Sequence, residues 1–178
     1  MNTPLRHVPT RMAYQYHKQY RLPGFDYSSN NSYFITIVTK DRKHHFGEIS
    51  NDEMSFTEIG FFAEELLKNA TLKLAHLKID HFVIMPNHVH FIATIFKVDN
   101  DFKTPKNGLA PLVPCSISSF VNRFKGRLKK WCNEKNYESF EWQARFHDRI
   151  IRNEKEYDLI VAYILNNIKN WGSDSEKS

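Results

Sequence analysis

Two cysteines in 178 residues, Cys115 and Cys132, are too few for the disulfide framework of a small secreted domain, and neither belongs to a CxxC zinc pattern. That scarcity fits a reducing cytoplasm. No apolar run approaches the roughly 20 residues that span a bilayer. The N-terminal stretch, with Arg6, His7 and Arg11, lacks the apolar core of a signal peptide. The expectation is a soluble, cytoplasmic protein with no membrane attachment. No internal repeat is visible, and the length suits one domain with short extensions.

What is present points to a globular chain with an anionic partner. Hydrophobic residues make up 41% of the chain and aromatics 14%, while the formal charge is +5 and the pI about 9.1. The charge is concentrated. Between residues 116 and 135, Arg123, Lys125, Arg127, Lys129, Lys130 and Lys135 face only Glu134, a surplus equal to that of the whole chain.

Periodicity divides the chain into a basic N-terminal arm (residues 1–20), one domain (21–172) and a polar tail (173–178). Strands are expected at 32–39, 77–85, 88–96 and 140–146, with a short hairpin at 46–56. Apolar residues at three- and four-residue steps mark helices at 57–74 and 116–135, and Asn153 caps a last helix, 154–171, that Gly172 ends. Residues 97–114, with three prolines and no periodicity, read as a long surface loop. This order predicts an α+β fold, an antiparallel sheet covered by helices.

The chemistry starts at His88 and His90. Side chains alternate faces along a strand, so residues two apart point the same way, and both imidazoles reach one divalent ion. On the last helix Tyr163 and Asn167 are four residues apart and share a face. Asn166, three residues from Tyr163, competes with Asn167 for the ligand role, and Asn167 is preferred. Tyr157 falls on the apolar stripe of that helix and reads as core, whereas Tyr163 lies at its edge. Two histidines, an amide oxygen and a phenol suit metal-assisted attack by tyrosine on a phosphodiester. Such a mixed site fits Mg²⁺ or Mn²⁺, since a closed zinc site wants a further histidine or cysteine. A tyrosine hydroxyl titrates near 10, so the ion's role is to stabilise the charge that attack produces.

The other histidines, His7, His17, His44, His45, His76, His81 and His147, are weaker candidates. The cations of the basic helix, Arg123, Lys125, Arg127, Lys129 and Lys130, are candidate contacts to a phosphate backbone. So are Gln143, Arg145, Arg149 and Arg152, which follow it; Trp142 and Phe146 among them read as core.

These residues resemble the single-tyrosine HUH transposases of bacterial insertion sequences, in the branch associated with repetitive extragenic palindromes (REP). The resemblance rests on RLPGFDY (21–27), YFITIVT (33–39), FGE (46–48), MPNHVH (85–90), WQARFHDRIIRN (142–153) and YILNN (163–167), in that order. It implies a ferredoxin-like, RNA-recognition-motif-like sheet with the histidines on a central strand. It also implies Tyr163 as nucleophile, with His88, His90 and Asn167 around the ion. The implied substrate is single-stranded, hairpin-containing DNA, nicked and rejoined through a covalent 5′-phosphotyrosine by a monomer or homodimer. Ile168 stands where the family commonly has proline, so the helix is free to continue. The rival expectations are a domesticated hairpin-binding protein with little strand-transfer activity, and a replication or relaxase nuclease with the same histidine pair.

Overall fold

The computed structural model describes residues 30–96 and 115–173. The expected N-terminal arm, the RLPGFDY motif, the loop at 97–114 and all but the first residue of the tail lie outside these. Four strands form the main sheet: β1 (Asn31–Val38), β4 (Leu77–Ile84), β5 (His88–Ile95) and β6 (His147–Ile151), in the spatial order β4-β5-β1-β6 and antiparallel throughout. A two-stranded hairpin, β2 (Gly47–Ser50) with β3 (Glu53–Phe56), stands apart from it. The helices are α1 (Glu58–Lys73), α2 (Ile117–Glu134) and α3 (Glu154–Asn166).

The helices begin where side chains satisfy orphan backbone donors. Thr57, Ser116 and Asn153 accept from the backbone N–H groups of Gly60, Ser119 and Glu156 at 3.2, 3.2 and 2.9 Å. β1 and β5 are buried on both faces, and their alternation splits the core in two. Tyr33, Ile35, Ile37, Val89, Phe91 and Ala93 point to one side, where α1 (Ile59, Ala63, Leu67) and α2 (Phe120, Val121, Phe124, Leu128) cover them. Phe34 and Ile92 point to the other, where they meet Ile160 and Ile164 of α3 and Trp171. The sheet therefore separates the basic helix α2 from α3.

Two expected boundaries are corrected. The fourth sheet strand is β6, at His147–Ile151, and not residues 140–146. Phe140, Trp142 and Phe146 promised a strand because they are apolar, but they pack into the larger core from an irregular segment. That segment meets β1's end through the bridge from Thr39 to Trp142. β6 is an edge strand with Asp148 and Arg149 at its centre, which hid its pattern. The last helix ends at Asn166 rather than Trp171, and tight turns follow: Asn167 N–H donates to Ile164 O at 3.3 Å, and Trp171 N–H to Ile168 O at 3.2 Å. Gly172 is not its stop signal, and the turns tuck Trp171 into the smaller core.

Candidate active site

The smaller core is interrupted by polar groups. Thr36, His88, His90 and Asn167 are all at most 2% exposed, a placement that needs hydrogen bonds or a ligand to offset lost hydration. His88 and His90, on the inner strand β5, face α3 with ring centroids 4.5 Å apart. Each ring is held at Nδ1. His88 Nδ1 lies 2.7 Å from Asn87 Oδ1, and because a carbonyl oxygen only accepts, that nitrogen carries the proton. Thr36 Oγ1 lies 2.8 Å from His90 Nδ1 across the β1–β5 pair. The Tyr163 hydroxyl meets the other nitrogen of His90, Nε2, at 3.3 Å; with the phenol donating there, Nδ1–H donates to Thr36.

α3 runs along β5 from residue 92 towards 88. Tyr157 sits by His81, the register partner of Ile92, with ring centroids 6.2 Å apart. Tyr163 packs at 5.3 Å on His90, and Trp171 at 6.0 Å on His88. Asn167 lies between the last two in the chain and one turn after Tyr163. It is 2% exposed, and its Oδ1 is buried with no hydrogen-bond partner among the described residues. Asn166 instead is exposed and gives its amide to Ala162 O at 2.7 Å. Phe34 stacks on His90 at 5.2 Å and meets the edge of Tyr163 at 5.9 Å, wedging the two rings.

Burial holds His88 well below the usual histidine range, helped by His90 and Arg42, and pushes His90 down to about 3, helped by His147. Both imidazoles are therefore neutral, as metal ligation requires. The family resemblance implies a divalent ion, and this donor set fits one: two imidazoles anchored at Nδ1 and a buried amide oxygen that no donor among the described residues meets. Among the described residues no group of three or more His, Cys, Asp and Glu side chains converges to hold a metal.

The candidate DNA contacts divide. Arg123, Lys125, Arg127, Lys129 and Lys130 lie on α2, across the sheet from the histidines. Lys125 Nζ donates to the carbonyls of Gln143 and Ala144 at 2.6 and 3.4 Å, and Lys129 Nζ to Phe140 O at 2.6 Å, so both staple the irregular segment to α2. Lys130 pairs with Glu134 at 3.8 Å. Gln143 is half-buried and Arg145 exposed in that segment. Arg149, in register with Phe34, is on the α3 side and bridges to Glu156 at 2.5 Å; the backbone N–H of exposed Arg152 donates to the same carboxylate at 2.9 Å.

Sequence reasoning missed three groups on the α3 side. Thr36 and Phe34 lie within the YFITIVT motif, which suggested only a strand, and His147 is the register partner of Thr36. Asn87, inside MPNHVH and between the strands expected at 77–85 and 88–96, is a fourth missed group.

No family model matches the chain. An uncharacterized protein of Haemophilus influenzae is 37% identical over 161 residues, covering 86% of this chain and 89% of that protein. The REP-associated tyrosine transposase of Escherichia coli is 30% identical over 103 residues, 56% of this chain and 51% of that protein. A solved structure of the REP-associated tyrosine transposase bound to a REP hairpin superimposes with a TM-score of 0.59 at 24% identity, covering 88% of this chain and 75% of that one. The fold is thus that of a tyrosine transposase domain. In fold, and in sequence over about half of its length, the chain is similar to the REP-associated tyrosine transposases.

Proposed function

We propose that this protein nicks and rejoins hairpin-containing single-stranded DNA, with Tyr163 as nucleophile beside a Mg²⁺ or Mn²⁺ ion held by His88, His90 and Asn167. The observation that carries the reading is the Tyr163 hydroxyl 3.3 Å from His90 Nε2, with the buried Asn167 oxygen one turn further along α3. The hairpin in the related complex supports the substrate class.

In the reaction the phenol loses its proton and its oxygen attacks the phosphorus. The P–O bond to the leaving strand breaks, and that strand departs with a free 3′-hydroxyl, the 5′ phosphate remaining on tyrosine. Attack by another 3′-hydroxyl on the adduct releases Tyr163 and rejoins DNA without ATP, because each step exchanges one phosphodiester for another. When bound, the ion polarises the phosphate and neutralises developing charge. Phe34, beneath both rings, and the Arg149–Glu156 bridge, which ties the first turn of α3 to β6, hold the phenol over the histidines.

The test incubates the protein with Mn²⁺ or Mg²⁺ and hairpin-bearing single-stranded DNA and looks for a denaturation-resistant protein–DNA adduct. The expected outcome is an adduct that Tyr163→Phe abolishes and Tyr157→Phe retains. An adduct that survives Tyr163→Phe refutes the nucleophile. Tight hairpin binding by the folded protein without any metal-dependent cleavage would make it a binding module instead.

A further inference from the structure

The geometry points to Asn87 as a positioning residue that fixes which nitrogen His88 presents to the ion. This rests on the metal-assisted reading above and adds to it a residue that the reading does not use. Asn87 is fully buried and held at every polar atom of its side chain and at its carbonyl. Its carbonyl oxygen accepts from Thr39 N–H at 2.8 Å and from Thr39 Oγ1 at 2.9 Å. Its side-chain Nδ2 donates to Arg42 O at 3.2 Å, and its Oδ1 faces His88 Nδ1 at 2.7 Å.

The contact with Arg42 gives the amide a direction. With Nδ2 committed to a carbonyl, Oδ1 is the atom turned to the imidazole, so Nδ1 carries the hydrogen and Nε2 the lone pair. The backbone supplying that carbonyl is itself unusual. Asp41 and Arg42 have φ of 54° and 52°, the left-handed region that non-glycine residues rarely adopt. The turn 40–43 thus closes over Asn87 and aims the Arg42 carbonyl at its amide. The arrangement is the one by which proteins orient ligating histidines through the nitrogen that does not bind the metal.

The test uses the full chain and Mn²⁺. Long-range ¹H–¹⁵N correlations of the metal-free wild type should show His88 protonated at Nδ1; protonation at Nε2 would overturn the proposal without any mutation. Asn87→Leu removes the acceptor and is expected to mix the His88 tautomers and weaken Mn²⁺ binding by about 10- to 100-fold. Asn87→Asp keeps the acceptor but turns a second oxygen towards Arg42 O. It should lower Tm while leaving the tautomer intact and Mn²⁺ binding at wild-type strength or tighter. If a folded Asn87→Leu protein binds Mn²⁺ as the wild type does, Asn87 has no such role. A wild type that binds no Mn²⁺ overturns the metal reading itself and this role with it. The two failures are thereby distinct.

Discussion

At the scale of single residues, Asn166 and Asn167 are chain neighbours with opposite fates. One spends its amide on the helix backbone at the surface, and the other buries an oxygen that no donor among the described residues meets. A buried acceptor left this way costs about 1–3 kcal/mol, so its retention makes sense where a ligand satisfies it. Asn167→Ala is expected to weaken Mn²⁺ binding at least tenfold and Asn166→Ala less than twofold, measured by titration calorimetry; equal effects would reassign the ligand. The buried histidines give a second prediction. Unfolded, each titrates near 6.5; folded, both stay neutral well below that. Below pH 6.5 the unfolded chain therefore binds more protons, and stability rises with pH in that window. The contribution is complete above the unfolded value and is lost as pH falls, by up to about 1.4 kcal/mol per pH unit for each histidine. Urea midpoints of the metal-free protein that stay level from pH 6.5 to 4.5 would contradict the neutral pair. The two-residue and four-residue spacings foretold that His88 and His90 share one face of β5 and that Tyr163 and Asn167 lie a helical turn apart; the proximity of Tyr163 to His90 is what the structure adds. Thr36 and Asn87 were not legible in the sequence, because their roles arise from a partner strand and from a turn at residues 40–43, contacts that no local pattern encodes.

At the scale of elements, caps and apolar stripes were enough to locate α1, α2 and the inner strands within a residue or two. Failure came where local preference and tertiary packing disagree. The aromatics of residues 140–146 fill a core without forming a strand, and β6 pairs at an edge despite its charges. One glycine shows how closely the elements fit. A Cβ on Gly60, in the first turn of α1, would lie 2.1 Å from Phe46 O and 2.8 Å from Phe56 Cδ1. Gly60→Ala should therefore destabilise by about 1–3 kcal/mol, through crowding rather than helix propensity, which favours alanine. Asn153→Ala, which removes the α3 cap, is expected to cost about 1 kcal/mol. Thermal denaturation checks both, and a Gly60→Ala protein more stable than wild type would deny the close approach.

At the scale of the whole molecule, the α+β class followed from element order, but the burial of α2 and α3 on opposite sides of the sheet did not. Periodicity reports that a helix has an apolar face, not which side of a sheet receives it. The lysines of α2 are consequently not equivalent. Lys125→Ala and Lys129→Ala should lower Tm, because they release the carbonyls of Gln143, Ala144 and Phe140. Arg123→Ala with Arg127→Ala should leave Tm within a degree or two. If those arginines meet phosphates, the double variant should also flatten the salt dependence of hairpin binding, by about 0.7–0.9 in the log–log slope for each phosphate it no longer neutralises. The same division bears on the site. The histidines ride on a strand locked between two neighbours, under the larger core, while Tyr163 rides on a helix, and Asn167 on the turn that ends it, seated over a much smaller patch. Amide hydrogens of α3 should accordingly exchange with deuterium sooner than those of β5. The phenol half of the site can then lift by local breathing of one helix while the imidazole half stays fixed, a route for a polymer strand to thread between them without unfolding the domain.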